Sequence, residues 1–221
     1  MGYKQMNQNI TFAELSLFTS MEHNRSLKRL EKINRAVDWS EVEAVISAHY
    51  MVGTRLEGAD AYPPLLLMKA LLLQKWYQID SDPELENQIN DRISFKKFLG
   101  LSFDVPSPDH STFSRFRGRL SQEAMREVNS VLLRQFSRKG LVINEGIAVD
   151  ARSTRLTARE KERNKAIAKL RYIVEQYFGL SHLHMDAFKA RFIRIIRNSI
   201  DALFRQMAFN IFRGGKILGT T

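Results

Sequence analysis

The sequence contains no cysteine, and this absence excludes both a disulfide framework and a thiolate zinc site. Proline and glycine are scarce, with 5 and 11 residues in a chain of 221, so long flexible or low-complexity linkers are not expected. The longest apolar run, PPLLLMKALLLQKW, is interrupted by Lys69, Gln74 and Lys75 and is too short to cross a bilayer. The first residues, MGYKQMNQNI, lack the apolar segment of a signal peptide. We therefore expect a cytoplasmic protein with no membrane partner.

The net charge of +10 is concentrated in one part of the chain. Residues 1–150 carry no net charge, whereas residues 151–221 contain 15 basic and 5 acidic side chains. A concentrated basic region suggests a polyanionic partner, most often nucleic acid. The alternative is a basic helix face that is only solvated.

Helical periodicity dominates residues 1–140, so the fold class is predicted to be mainly α. Helix starts and stops are indicated by Asp38 with Glu41 as a capping box, Pro63-Pro64, Asp82 before Pro83, Gly100, Asp109, and Ser121 with Gly140. The segment that begins at Pro63 is apolar nearly all round and is predicted to be a central buried helix. The helix after Ser121 is predicted to bury one stripe, formed by Met125, Val128, Leu132 and Phe136. We expect residues 1–140 to form a helical domain that could fold alone.

Residues 141–221 follow a different pattern. LVINEGIAV, at 141–149, predicts one β-hairpin, and two helices follow it, the first with a capping box of Thr157 and Glu160. The last helix is predicted to bury Phe188, Phe192, Ile195 or Ile196, Leu203 and Met207. Its outer face is predicted to carry Arg191, Arg194, Arg197 and Arg205, as a solvated face or a phosphate-binding one.

Residues 82–119 resemble a helix-turn-helix segment with a third short helix after a proline-containing bend. In that third helix Phe113 and Phe116 are three residues apart and should anchor it to the core. The side chains left outward or flanking are His110, Ser111, Ser114, Arg115 and Arg117. Arginine and small hydroxyl side chains suit the edges of bases and the phosphates of a major groove. An ordinary amphipathic helix is the alternative reading of the same pattern.

Two carboxylates draw attention in the second part of the chain. The segment GIAVDARSTRL reads as a short strand that ends at Asp150, where an acid could hold a metal ion or could simply cap a turn. Glu175 follows Arg171 by four residues, a spacing that also fits an exposed ion pair on a helix.

Four segments, in this order and spacing, resemble bacterial insertion-sequence transposases of the Asp-Asp-Glu type: YPPLLLMKALLLQKWYQI, DPELENQINDRISFKKFLGL, PDHSTFSRFRGRL and GIAVDARST. LTAREKERNKAIAKLRYIVEQYFG resembles the C-terminal end of that family. The resemblance implies an N-terminal region that binds DNA and a partner subunit, followed by an RNase-H-like domain in which three carboxylates hold two Mg²⁺ ions. It implies that Asp150 is the first catalytic, metal-binding acid and Glu175 the last, and it places Arg171 among the DNA-binding residues.

The middle acid of that family is missing. The 24 residues between Asp150 and Glu175 contain no Asp, and their only acids, Glu160 and Glu162, lie in the first turns of a predicted helix. So short an interval cannot supply the remaining strands of a sheet. We therefore expect a truncated RNase-H-like remnant in a protein that binds double-stranded DNA as a homodimer or in mixed oligomers with a full-length relative. Two alternatives are an active Mg²⁺-dependent strand-transfer enzyme with a third carboxylate from elsewhere, and a helical oligomerisation module with no nucleic-acid role.

Overall fold

The computed structural model describes residues 3–4, 12–52, 60–141, 192 and 195–218, with 162 and 179 as single positions. In these residues the protein is mainly α, as the sequence predicts, and their one β feature is an isolated parallel bridge between Tyr3 and Ala61. The helices are Phe12–Ser20 (α1), Arg25–Ala36 (α2), Trp39–His49 (α3), Pro64–Trp76 (α4), Asp82–Asp91 (α5), Ile93–Leu99 (α6), His110–Arg119 (α7), Gln122–Arg138 (α8) and Ile195–Leu218 (α9). None of these helices combines the length and apolarity that a bilayer crossing requires. Residues 142–149 of the predicted hairpin and the capping box of Thr157 and Glu160 lie outside the described residues.

Helix α4 forms the centre of the core, which confirms the prediction made from a sequence that is apolar nearly all round. Pro64 occupies its first turn, where a missing N–H breaks no helical hydrogen bond. Eleven of its thirteen residues are buried, and full burial of a leucine such as Leu72 stabilises the fold by about 1.5–3 kcal/mol. A helix that is apolar on every side needs neighbours on every side, and α3, α6, α7 and α9 supply them.

Helix α9 packs into the core formed by the helices that precede residue 140. It lies against α2, α4 and α8, and the Trp76 indole donates a hydrogen bond to the Ala208 carbonyl at 2.9 Å. Two glycines allow the close approach. A Cβ at Gly214 would lie 2.5 Å from the Phe136 ring, and a Cβ at Gly215 would lie 3.3 Å from Ile33.

A buried charge cluster joins α4 to α9. Asp201 is 1% exposed and accepts from the Lys75 ammonium and from the Arg205 guanidinium, the latter with Nη2 at 2.6 Å. Burial by itself raises the pKa of Asp201, but the two positive partners and their hydrogen bonds outweigh this and lower it below its ordinary value. The prediction that Arg205 lies on the outer face of the last helix is therefore wrong, because its guanidinium is drawn inward by Asp201 one turn earlier.

The other predictions for α9 have mixed outcomes. Met207 is fully buried, as predicted, and Leu203 and Phe192 are partly buried. The prediction that Ile195 or Ile196 packs inward is wrong, since these residues are 84% and 65% exposed in the first turn of α9. Phe188 lies outside the described part of the chain.

Helix ends follow the sequence signals closely. Asp38 caps α3 by accepting from the Ser40 N–H at 3.0 Å, and Gly100 and Gly140 adopt φ of 73° and 78° after α6 and α8. The predicted capping box is incomplete, because the Glu41 carboxylate accepts from Arg138 at 2.8 Å instead of from the Asp38 N–H. The predicted stripe of α8 is confirmed, with Met125, Val128, Leu132 and Phe136 all at 0% exposure.

Candidate nucleic-acid interface

Helix α7 is held by its inner face and presents its outer face to solvent. Asp109 caps it by accepting from the Ser111 N–H at 2.7 Å, and hydrogen bonds from the Ser111 side chain and backbone hold the pKa of Asp109 below its usual value. Phe113 and Phe116 are 0% exposed, which confirms the predicted anchors. The Phe116 ring meets Tyr50 edge-on with centroids 5.0 Å apart. The rigid attachment fixes which α7 residues point outward.

Arg117 does not point outward, and the prediction that it does is wrong. It follows Phe113 by four residues, so it shares the inner face, and it is 5% exposed. Its guanidinium forms a two-pronged ion pair with Asp82 of α5, with Nη1 3.1 Å from Oδ1 and a second contact from Nη2 to Oδ2. The Cζ atom of the same guanidinium lies over the Phe192 ring, 5.4 Å from its centre. Arg117 positions α7 against α5 and is not part of the exposed surface.

The same ion pair explains a second correction. The sequence suggests Asp82 as the N-cap of α5, but the cap is Ser81, whose side chain accepts from the Glu84 N–H. Asp82 is the first helical residue, and its carboxylate is occupied by Arg117 and by the Gln74 amide at 3.1 Å. The cap moves back by one residue because Asp82 is used for a contact between helices.

The connection from α6 to α7 is tied down at three points. The Lys96 ammonium, almost fully buried, donates to the carbonyls of Phe103 at 2.7 Å and Val105 at 3.0 Å. The Ser107 N–H donates to Asn90 of α5 at 2.8 Å, and the Phe103 N–H donates to Glu14 of α1 at 3.0 Å. These bonds satisfy backbone groups of the loop and fix the orientation in which α7 begins.

The outer face of α7 carries the remaining predicted residues. Ser114 and Arg115 are exposed, and the Arg115 guanidinium folds back onto the Ser111 hydroxyl at 2.7 Å. His110 is exposed and is bonded to Glu86 through both its N–H, at 2.8 Å, and its Nδ1, at 3.1 Å. The structure thus brings His110, Ser111, Ser114 and Arg115 together on one accessible surface. The Arg115 contacts lie within its own helix, so a rotamer change can redirect its guanidinium without disturbing the core.

Arg197 of α9 joins this surface. It is exposed, and a Cβ at Gly118 would lie 3.8 Å from its Nη2. A small cavity of about 10 Å³ is lined by Ser114 together with Arg197, Arg117, Phe192 and Ile200. Two groups of residues predicted separately from the sequence therefore meet, since Ser114 on α7 and Arg197 on α9 line one cavity.

The remaining predicted site residues are Asp150, Arg171, Glu175, Arg191 and Arg194, and they lie outside the described residues. The predicted Mg²⁺ site consists of Asp150 and Glu175, so it stays a prediction. Within the described ranges, Glu86, Asp109 and His110 have potential ligand atoms within 4.8 Å of one another. These atoms already cap α7 and fasten it to α5.

One basic element was missed at the sequence level. Helix α2 holds five of the nine basic residues of positions 1–91. Averaging charge over that whole segment hid them behind thirteen acidic side chains. A window of one helix length would have found them.

The first seven helices also match a known family. No solved structure matches the chain. Residues 14–119 match the model of the family described as Transposase domain (DUF772). The match runs from α1 to the last residue of α7, so it contains α5, the tied-down loop and all of α7. The comparison therefore shows that this part of the chain, slightly less than half of it, is similar to a transposase domain.

Proposed function

We propose that the chain binds double-stranded DNA and reads it through the outer face of α7. One observation carries the proposal: α7 is fixed by buried Phe113, Phe116 and Arg117 while Ser114 and Arg115 remain accessible. Its exposed side chains are small or hydrogen-bonding, so a groove of DNA can approach the helix closely. Arginine makes two-pronged hydrogen bonds with guanine, and serine bonds phosphates or base edges.

The basic side chains near α7 would bind the DNA backbone. Arg197 lies beside Gly118, and Arg191 and Arg194 precede it in the sequence as further candidates. Contacts of this kind orient a protein on the duplex and make its affinity depend strongly on salt.

The first experiment is selection from a randomised duplex pool with the purified full chain, at moderate salt with Mg²⁺ present. A defined enriched motif is expected. Recovery of an unselected pool at every salt concentration would show that α7 does not read DNA. Arg115→Ala should relax the preference at one or two positions of the motif, whereas Arg134→Ala on α8 should leave the motif unchanged.

We also propose that the chain is catalytically incomplete. The proposal rests on the absent middle acid between Asp150 and Glu175. In the related enzymes, as the resemblance implies, these two positions hold Mg²⁺ for attack on a phosphodiester. Incubation of a plasmid that carries the selected motif with Mg²⁺ should produce no nicks. Nicking by the purified chain that disappears in Asp150→Ala would instead establish the active strand-transfer enzyme.

A DNA-binding chain without strand-transfer activity can still compete for DNA or for subunits. We propose that it acts as a homodimer or in mixed oligomers with a full-length relative, and that it lowers transposition in trans. Co-expression of the two in a transposition assay should reduce the frequency of events. An unchanged frequency at equal expression would contradict this role.

A further inference from the structure

Helix α2 carries a second basic surface, on a different element from α7. Within twelve residues it has five basic side chains and one acidic side chain. Leu27, Leu30, Ile33 and Ala36 are buried on its inner face. Lys28, Lys32 and Arg35 are exposed. The positive charge is therefore displayed on one side of a well-packed helix.

Lys28 and Arg35 are the most available of these cations. They are seven residues apart, which places them on the same face about 10 Å apart along the axis. Within the described part of the chain, neither side chain has an ion-pair partner. Long, exposed side chains with this spacing can reach phosphates without a cost in lost internal bonds.

The outer face of α2 borders a groove of about 460 Å³ between α1, α2 and α6. Lys28, Lys32, Arg35 and Lys97 contribute positive charge to it, and Glu22 and Glu31 contribute negative charge. The Lys97 ammonium neutralises Glu31 at 2.6 Å and lies 4.0 Å above the centre of the Phe18 ring. Cations outnumber acids, so the groove has a net positive charge.

Helix α6 connects this groove to the loop that leads to α7. Lys97 of α6 lines the groove, and its neighbour Lys96 holds the carbonyls of Phe103 and Val105 in that loop. Two consecutive residues of α6 therefore have different roles: Lys97 lines the groove, and Lys96 helps to fix the orientation of α7.

We propose that the α2 groove binds the phosphate backbone of duplex DNA and adds affinity without adding sequence preference. This inference rests on the proposed DNA-binding function. The groove presents the Lys28 ammonium and the Arg35 guanidinium on an exposed surface, which suits phosphates repeated along a strand. No base edge is read in this mode, because contacts to phosphate carry no sequence information directly.

The test compares two double variants of the full chain, each of which removes two positive charges from one helix. Lys28→Gln/Arg35→Gln changes α2, and the matched control Arg126→Gln/Arg134→Gln changes exposed positions of α8. Binding to the selected duplex is measured as a function of salt, and circular dichroism checks that both variants keep their helix content. In the α2 variant we expect the negative slope of log affinity against log salt to become shallower by about 2, since each phosphate contact contributes roughly 0.9 to its magnitude. The motif recovered from a random pool should stay the same.

Three outcomes would overturn the proposal. If the α2 variant binds duplex like the α8 control while Arg115→Ala still changes the motif, the groove does not bind DNA and the proposed function stands. If the wild-type protein fails to bind duplex at low salt, both the groove proposal and the proposed DNA-binding function are contradicted. An α2 variant that loses binding to a poly-glutamate peptide but keeps its duplex affinity shows that the groove takes an acidic protein segment.

Discussion

Arg117 and Asp82 form a buried ion pair that fastens the last turn of α7 to the first turn of α5. Their side chains are 6% and 16% exposed, so each charge depends on the other for solvation, and the Gln74 amide also donates to the Asp82 carboxylate. Removing one partner leaves the other charge in the interior, and this costs roughly 3–5 kcal/mol of the free energy of unfolding.

We therefore expect Arg117→Ala to unfold at much lower denaturant concentration than the wild type. Arg115→Ala is the matched control, since this exposed residue two positions earlier should change the free energy of unfolding by less than about 0.5 kcal/mol. Equal midpoints for Arg117→Ala and wild type in urea would show that the pair does not hold α7.

Gly118 of α7 and Gly214 of α9 should respond to substitution by alanine in opposite directions. At Gly214 a Cβ would lie 2.5 Å from the Phe136 ring, so Gly214→Ala should destabilise the fold by about 1–3 kcal/mol. At Gly118 the nearest atom is 3.8 Å away, so Gly118→Ala should stabilise α7 by about 0.5–1 kcal/mol through its helix propensity. Thermal unfolding of both variants checks this. A neutral Gly214→Ala would mean that α9 is not packed against α8.

Lys69 should make stability depend on alkaline pH. Burial lowers the pKa of Lys69 to about 8, against the weaker opposing effect of Glu43. The ammonium lies over the faces of Trp39 and Phe98, and this contact favours its charged form. The unfolded chain keeps this proton up to about pH 10.4. The folded state releases it first, so the free energy of unfolding should rise between pH 8 and that value.

Lys69→Met removes the titrating group and preserves much of the volume. It should abolish that rise and stabilise the protein near neutral pH, by at most about 3 kcal/mol. Urea unfolding of both proteins at several pH values decides the matter. If the free energy of unfolding depends on pH in the same way in the variant and the wild type, the prediction is contradicted.

Asp201 should make the free energy of unfolding depend on pH in the acid range. Its pKa is lower in the folded protein than in the unfolded chain, so its stabilising effect is present above the unfolded pKa and is lost as the pH falls through the folded one. Asp201→Asn should be destabilised at pH 7, because Lys75 and Arg205 lose their shared counter-ion. The difference in free energy of unfolding between Asp201→Asn and wild type should become smaller as the pH is lowered. A constant difference down to pH 3 would show that Asp201 does not titrate as proposed.

Local signals predicted much of this fold. Asp109, Gly100 and the Phe113–Phe116 pair act within one helical turn, so their roles can be recognised in the sequence. Helix α4 is apolar nearly all round, and this pattern likewise predicted its central position.

Two wrong predictions, the outward position of Arg117 and the complete capping box at Glu41, share one cause, which is a partner distant in the sequence. Arg117 pairs with a residue 35 positions away, and Lys75 contacts Asp201 across 126 positions. A charged residue whose partner is unknown is assigned to the surface by default. The spacing of four from Phe113 to Arg117 was nevertheless visible, and it indicated an inward position.

The place of α9 in the core has a consequence for the order in which the protein matures. Trp76 bonds to a carbonyl 132 residues later in the chain. At a synthesis rate of about 5–20 residues per second, roughly 7–25 s pass between the emergence of the two groups from the ribosome. During that interval the side of α4 that α9 later covers is exposed to water. Chaperones can bind this exposed apolar side until α9 is synthesised.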